Sequence, residues 1–283
     1  MIDVYKIGLE LYSDIDKNGG LYEYNLIKKE VEKYIFMHDI LLIVNGKKSK
    51  KDVDYINAIW NNYDIHIFII TDAIALDDEL ANRCDYVLHQ SIRELPNITK
   101  PQYYSYVPEL FYNPYSGNIK SFVKKADLVF FGGGIRDNKD IFAYLEEINL
   151  PTYLITKVDN GEDNRISYKE CQNLMSECKF ALVLSRHSYN DIGFVTPRFI
   201  EAINNWCVPI VLDTYDADNI FNIKKVKLEE IRAFYNEYKY DVNKCSDLLN
   251  EYRNFIEERR YGFIDLLLNI DEEFLYDKSK NSR

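Results

Sequence analysis

Short apolar runs alternate with amphipathic helical stretches along this 283-residue chain, and that alternation constrains its fold more than any other feature. Apolar runs at Tyr5–Leu11, Asp39–Val44 and Ile65–Thr71 predict buried strands, and a stretch with helical spacing follows each of them. Strands that are joined by helices usually lie parallel in a sheet that is covered on both faces. The sequence therefore predicts an α/β protein built on parallel sheets.

A break in this pattern divides the chain in two. Asn, Pro, Ser and Gly cluster within Phe111–Lys120, and the pattern restarts with a predicted strand at Ala126–Phe131. We expect two Rossmann-like, doubly wound domains over residues 1–115 and 116–260, facing each other across a cleft. A C-terminal helix and a charged tail are expected over 261–283.

A predicted helix start in the second half pairs a cation with a carboxylate. Pro197 suits the first turn of a helix, and Arg198 and Glu201 lie three residues apart on one face of it. A helix N-terminus with an arginine beside it suits a diphosphate, and a carboxylate one turn later can accept hydrogen bonds from ribose hydroxyls. The alternative is an ordinary helix that carries an Arg–Glu pair on its surface.

A glycine-rich turn in the same half follows a predicted strand and opens a helix. Gly132, Gly133 and Gly134 would let backbone N–H groups approach a phosphate, and Arg136 would add a second cation. A tight turn that needs a positive φ explains the glycines equally well.

Two carboxylates in the first half are candidate catalytic groups. Asp72 follows the apolar run Ile65–Ile70, where the end of a central strand would present a general base. Glu23 lies early in the first predicted helix, at the same edge of the sheet. The alternatives are a helix N-cap for Asp72 and a solvated helix carboxylate for Glu23.

A basic loop stands out in an otherwise acidic chain, which has a formal net charge of −11. Its four lysines follow a predicted strand and could contact phosphates, or they could form a solvated charge run: Lys47, Lys48, Lys50 and Lys51. The acidic balance argues against broad, non-specific coating of nucleic acid but allows a local basic groove.

Cysteines and acidic residues give no metal signature. The five scattered cysteines lack C-x-x-C spacing, which favours reduced thiols in an intracellular, cytoplasmic protein. We interpret Asp213, Asp216 and Asp218 as turn and capping residues and predict no metal site. No apolar run is long enough to span a membrane, and we expect a monomer without membrane association.

Several of these motifs together resemble the DNA β-glucosyltransferases of T-even phages, a GT-B fold family. The sharpest similarity is Tyr189-Asn190-Asp191 followed by Arg198 and Glu201, which resembles the Y-N-D…R-x-x-E run of the family. Phe130–Arg136 resembles a Y-G-G-S-F-R loop, and Thr71-Asp72 looks like the T-D of an F-T-D-I-R-L segment. The chain departs from the family pattern at Asp140, where the family has a second arginine.

The resemblance implies a role for each matching residue. Asp72 would be the general base, and Glu23 would help to place the acceptor or the sugar in the first domain. Arg136 and Arg198 would bind the diphosphate of a UDP-sugar, most simply UDP-glucose, beside the glycine turn. Glu201 would bind the ribose, with Tyr189 close to the donor and Ile166 against the uracil.

The resemblance also implies a reaction and its partners. A sugar would pass, in a single inverting displacement, to a hydroxymethylcytosine or hydroxymethyluracil base in double-stranded DNA, in a host cytoplasm if the protein is viral. A divalent metal, Mg²⁺ or Mn²⁺, is compatible with such a donor, although the sequence does not indicate one. The alternatives are a GT-B enzyme with a small-molecule, glycan or protein acceptor, and a non-catalytic module that binds nucleotide-sugars.

Overall fold

The computed structural model describes residues 1–9, 19–72, 76–113, 125–131, 138–150, 152–155, 166–216 and 222–281. The chain forms two compact units. Met1–Phe111 and Arg260–Arg283 form the first, and Tyr112–Arg259 forms the second.

The first unit is built on a parallel sheet of five strands. The strands are β1 (Ile2–Lys6), β2 (Ile40–Val44), β3 (Ile65–Ile70), β4 (Tyr86–His89) and β5 (Gln102–Tyr104). All four neighbouring pairs are parallel, and the strands lie in the order β1-β2-β3-β4-β5. Every residue of β2 and β3 is buried, so both faces of the sheet are covered, as their largely apolar sequences predict.

Four helices accompany this sheet. They are α1 (Gly19–Val31), α2 (Lys50–Ile59), α3 (Asp78–Arg83) and α10 (Gly262–Asn281). The last of these comes from the far end of the chain, where the sequence predicted a separate segment over 261–283. It joins the first unit because the buried Asp271 carboxylate accepts hydrogen bonds from the backbone N–H groups of Met37 and His38, at 2.6 and 3.0 Å.

The second unit has a parallel sheet of four strands. The strands are β6 (Lys125–Phe131), β7 (Thr152–Ile155), β8 (Cys178–Val183) and β9 (Val208–Val211). Its helices are α4 (Lys139–Glu147), α5 (Tyr168–Glu177), α6 (His187–Asp191), α7 (Arg198–Asn204), α8 (Ile231–Tyr238) and α9 (Val242–Glu257). The strand order is β7-β6-β8-β9, so the direction of winding reverses between β6 and β8.

Strand order distinguishes the two sheets. Among the described strands, the reversal that defines a doubly wound sheet occurs in the second unit, whereas the first sheet runs in sequential order. Ligands of open α/β sheets bind beyond the carboxyl ends of the strands, at the point of reversal. The topology therefore favours a ligand site beyond β6 and β8.

The first strand ends earlier than the apolar pattern of the sequence predicts. The pattern indicates Tyr5–Leu11, but β1 spans Ile2–Lys6. Gly8 has a φ of +74°, and a Cβ on it would lie 2.4 Å from the backbone oxygen of Lys47. The chain thus leaves the strand here through a left-handed residue that a side chain could not occupy.

Candidate active site

The carboxyl edge of the first sheet gathers polar residues from three neighbouring strands. Lys6 is the last residue of β1, Asn45 follows β2 directly, and Thr71 and Asp72 follow β3. Because these strands are adjacent and parallel, their ends meet at one edge. Three of these four residues are buried, whereas the Asp72 residue is exposed.

Asn45 links the strand ends. Its Oδ1 accepts hydrogen bonds from the Thr71 backbone N–H and hydroxyl, at 3.0 and 3.3 Å. Its Nδ2 donates to the Asp72 carbonyl oxygen at 2.6 Å. Asn45 is completely buried, so its hydrogen bonds are shielded from water, and they fix the backbone at Asp72.

In the structure the N-cap of the next helix is a different residue, not Asp72. The N-cap of α3 is Asp77, whose side chain accepts a hydrogen bond from the Leu80 N–H at 3.2 Å. Asp72 instead lies at the end of β3, as the sequence predicts.

Glu23 lies on α1 and is only 9% exposed, so it is not the solvated helix carboxylate of the alternative interpretation. The neighbouring Tyr24 hydroxyl donates to the carbonyl oxygen of Val4 at 3.3 Å, which ties α1 to β1. The Glu23 and Asp72 charges both act on the Lys6 amine and raise its pKa, although burial outweighs them and the net pKa is lowered. The structure therefore brings Glu23, Lys6 and Asp72 into one electrostatic group.

The lysine loop lies at the same edge of the sheet. Lys47 is exposed after β2, and Lys50 and Lys51 occupy the first turn of α2. The Lys48 Nζ lies 2.6 Å from the Asp77 Oδ2, which neutralises its charge locally.

Asp52 anchors this loop. Its Oδ2 accepts from the Ser49 N–H at 2.7 Å, and its Oδ1 accepts from the Tyr5 hydroxyl at 2.7 Å and from the Gly8 N–H at 3.0 Å. Burial raises the pKa of Asp52, but the hydrogen bonds from Ser49, Tyr5 and Gly8 outweigh burial and hold it below its ordinary value. The hydrogen bonds of Asp52 thus fix the conformation of the loop, and the lysines of the loop are exposed.

Arg198 and Glu201 form an ion pair at the start of α7 in the second unit. The Arg198 guanidinium donates to the Glu201 Oε2 at 2.7 Å, and the Glu201 side chain is 6% exposed. Burial lowers the pKa of Arg198, but the adjacent Glu201 carboxylate outweighs burial and raises it. The pair is therefore partly buried, unlike the surface pair of the alternative interpretation.

The start of α5 lies beside this pair. Ile166 packs against a buried cluster that includes Cys171 of α5 and Ala202 of α7. Cys171 and Tyr168 both influence the Arg198 guanidinium electrostatically. The structure thus brings Ile166 close to α7.

Tyr189 lies on α6, in the connection from β8 to β9 that also contains α7. Its ring centroid is 5.0 Å from that of Phe194, and its backbone oxygen accepts from the Phe194 N–H at 2.7 Å. Gly193 turns the chain between them with a φ of +64°. Tyr189 and Arg198 therefore both lie in the connection that follows the carboxyl end of β8.

Gly132, Gly133, Gly134 and Arg136 lie outside the described residues. On one side of them β6 ends at Phe131, and on the other side the described chain resumes at Asn138. The buried Asn138 donates from its Nδ2 to the Ser185 carbonyl oxygen at 3.1 Å. This bond joins the segments after β6 and β8, where the strand order reverses.

Sequence patterns did not predict a place in the candidate site for three residues: Lys6, Asn45 and Asn138. Each is a polar residue at the end of an apolar strand or next to the start of a helix, and that position was the available signal. Their partners lie far away along the chain, so the sequence does not indicate that they are buried.

No group of three or more His, Cys, Asp or Glu side chains is arranged to hold a metal ion within the part of the chain that the structure describes. The same residues contain no helix with the length and apolar character of a membrane span.

Comparison with known proteins identifies the fold. No protein-family model matches the chain, and no curated protein matches it in sequence. Solved structures match it closely enough to confirm the predicted GT-B-like α/β class, with parallel sheets and many helices.

Three of the matching structures are those of a DNA-modifying enzyme, β-glucosyltransferase. One, solved with and without uridine diphosphoglucose, has a TM-score of 0.60 and 14% sequence identity, over 96% of this chain and 99% of its own. Two structures of the T4 phage enzyme also have TM-scores of 0.60 at 14% identity. They cover 94% and 99% of this chain, and 98% of their own chains. At this identity the likeness establishes the fold.

Proposed function

We propose that this protein is a UDP-sugar-dependent glycosyltransferase that transfers a hexose, in the first instance glucose, to a hydroxymethylated pyrimidine base in DNA. The observation that carries the proposal is the likeness to DNA β-glucosyltransferase over nearly the whole length of both chains. It is supported by ionisable residues at the carboxyl edge of the first sheet and at helix starts of the second unit, where α/β enzymes bind ligands and do chemistry.

The second unit has the groups that a UDP-sugar needs. Arg198 supplies a cation at the start of α7, and Glu201 supplies a carboxylate that can accept hydrogen bonds from the ribose. Ile166 offers an apolar contact for the uracil, and Tyr189 lies in the same β8–β9 connection as Arg198. The loop with Gly132–Gly134 and Arg136 would complete the diphosphate site beside the strand reversal.

In the proposed reaction, Asp72 accepts the proton of the hydroxymethyl group. The hydroxyl oxygen forms a bond to the anomeric carbon of the sugar while the bond from that carbon to the diphosphate oxygen breaks. UDP leaves with the electron pair, and its growing negative charge is stabilised by Arg198 and Arg136. Glu23 helps to place the acceptor or the sugar.

The lysine loop is the proposed contact for DNA. Lys47, Lys50 and Lys51 present ammonium groups at the sheet edge that carries Asp72. A base that is stacked inside a duplex cannot bring its hydroxymethyl group to Asp72, so the target nucleotide would leave the stack.

Two observations favour a different acceptor. Lys48 is paired with Asp77, and the chain carries a net charge of −11, both of which weaken attraction to a phosphate backbone. The same fold and donor site would then serve a small molecule, a glycan or a protein. A non-catalytic nucleotide-sugar-binding module is the further alternative, in which Asp72 would have no effect on turnover.

A donor and acceptor screen tests the proposal. UDP-glucose and other UDP-sugars are incubated with DNA containing hydroxymethylcytosine, hydroxymethyluracil or unmodified pyrimidines, each with Mg²⁺, with Mn²⁺ and with EDTA. Nucleosides are then analysed by mass spectrometry. We expect a mass increase of one hexose on a hydroxymethylated nucleoside only. Binding of UDP-sugar without modification of any DNA would contradict the proposed acceptor.

A further inference from the structure

Ser185 in the second unit has a hydroxyl group that the folded chain leaves without a hydrogen bond. The residue follows β8 by two positions and is 6% exposed, and its Oγ is buried without a hydrogen-bond partner. A hydroxyl in this state destabilises a folded protein, because it gives up its hydrogen bonds to water and gains none in return. The fold alone therefore gives no reason for a serine at this position.

The backbone of Ser185 is fixed at the point where the strand order reverses. The Nδ2 of the buried Asn138 donates to the Ser185 carbonyl oxygen at 3.1 Å. Asn138 directly precedes α4, which follows β6, and β6 and β8 are the neighbouring strands between which the winding reverses. Open α/β sheets bind their ligands beyond the strand ends at such a reversal. Ser185 is thus held where a ligand is expected.

The next residue, Arg186, adds a positive charge to this place. It is half-buried, and its guanidinium carbon lies 5.9 Å from the centroid of the Tyr189 ring. No carboxylate in the described part of the chain forms an ion pair with it. A hydroxyl and a guanidinium are both hydrogen-bond donors, and together they suit an anion with several oxygen atoms, such as a phosphate group.

We propose that the Ser185 hydroxyl and the Arg186 guanidinium bind the diphosphate of the nucleotide-sugar. The inference rests on the proposed function, since it adds two residues to the donor site of that function. Both residues lie in the β8–β9 connection that also contains Arg198. A phosphate oxygen gives Ser185 the partner that the chain does not provide, and Arg186 adds a charge-assisted hydrogen bond.

Calorimetric titration with UDP tests the two residues. We expect Ser185→Ala to weaken UDP binding about 10-fold or more, and Arg186→Gln to do the same, because each loses a hydrogen bond to a charged group. Arg186→Lys, which keeps the charge, should lose less affinity. Two matched substitutions of exposed residues in the same unit, Ser176→Ala and Arg232→Gln, should leave the affinity unchanged.

Uridine locates the contact within the ligand. It has the base and the ribose of UDP but no phosphate, so Ser185→Ala and Arg186→Gln should bind it as the unaltered protein does. Titration followed by NMR measures this affinity even where it is weak. An equal loss of affinity for uridine and for UDP would contradict a contact with the diphosphate.

Urea unfolding of the ligand-free protein separates a ligand contact from a structural role of Ser185. Removal of an unpartnered hydroxyl should leave the unfolding midpoint of Ser185→Ala unchanged or higher. A lower midpoint combined with unchanged UDP affinity would show that the hydroxyl serves the fold and would overturn the proposal for Ser185.

The inference and the proposed function fail in different ways. Unaltered protein that binds neither UDP nor a UDP-sugar would contradict the proposed donor, and this inference with it. If the unaltered protein binds UDP, then equal affinity in the folded Ser185→Ala or Arg186→Gln variant would overturn the assignment of that residue alone and leave the proposed donor standing.

Discussion

The two sheets of this molecule present their charged residues in different ways. In the first sheet, Lys6, Asn45 and Asp72 lie at the ends of strands and are joined by side-chain hydrogen bonds. In the second unit, Arg198 and Glu201 lie at the start of a helix, next to a sheet whose strand order reverses.

This difference follows from topology. A sheet in sequential order has no point at which successive helices diverge to opposite faces, so its polar edge is organised by the strand ends themselves. A reversal separates the helices that flank it and leaves room beyond the strands for a ligand. We propose that the first unit carries a fixed catalytic group and that the second carries a ligand-binding edge, and the following experiments test that division.

The largest effect is expected from Asp72→Asn. Removal of a general base should slow sugar transfer by about 10²- to 10⁴-fold while UDP binding stays unchanged. Transfer of labelled glucose to hydroxymethylated DNA measures the first quantity and calorimetry the second. Asp54→Asn, on an exposed position of α2, is the control. Undiminished turnover of the Asp72 variant would contradict the mechanism and favour a different base.

Arg198→Ala should weaken binding of the donor. Loss of a charge-assisted hydrogen bond to the diphosphate should cost roughly 1.5–3 kcal/mol of UDP binding, which is about a 10- to 150-fold weaker affinity. Calorimetric titration with UDP measures it, and the exposed Arg232→Ala in the same unit is the control. Unaltered UDP affinity would show that Arg198 does not bind the donor. That result would also contradict the proposed division of roles between the two units.

Asp52→Asn tests whether the edge of the first unit depends on its local network. Loss of acceptors for Ser49, Tyr5 and Gly8 should lower the free energy of unfolding by about 1–2 kcal/mol at neutral pH. Because the folded pKa of Asp52 is lowered, its contribution is complete above the ordinary carboxyl pKa and disappears as the pH falls below about 4.

Urea unfolding of the Asp52 variant at neutral and acidic pH measures this contribution, with Asp54→Asn as the control. A loss of stability that is the same at both pH values would show that the Asp52 charge is not its origin.

The smallest effect is expected in the lysine loop. Neutralising Lys47 and Lys50 should weaken DNA binding several-fold at physiological salt and reduce the slope of log affinity against log salt by about 1–2. The paired Lys48→Gln should change the slope less.

Fluorescence anisotropy over a series of salt concentrations measures the slope. A Lys28→Gln/Lys29→Gln variant of α1 has the same net charge change and should bind DNA as the unaltered protein does. Equal effects of the two double variants would mean that the lysine loop is no specific DNA contact.

Much of the architecture could be predicted from local pattern. The largely apolar run Ile65–Ile70 predicted a buried strand with Asp72 just beyond it, and the three-residue spacing of Arg198 and Glu201 predicted that they share one helix face. The sequence missed the burial of Glu23 and the role of Asn45, because both depend on partners from other strands and helices.

What the sequence determined by itself is local: which segments form strands and helices, and which charged side chains share a helix turn or follow a strand. Periodicity carries that information because a strand or helix exposes its faces at fixed intervals. Only the tertiary structure decided that the first sheet is sequential and the second reversed, that α10 joins the first unit, and that Lys6 lies with Glu23 and Asp72. Strand order and burial arise from contacts between residues far apart along the chain, and no local pattern records them.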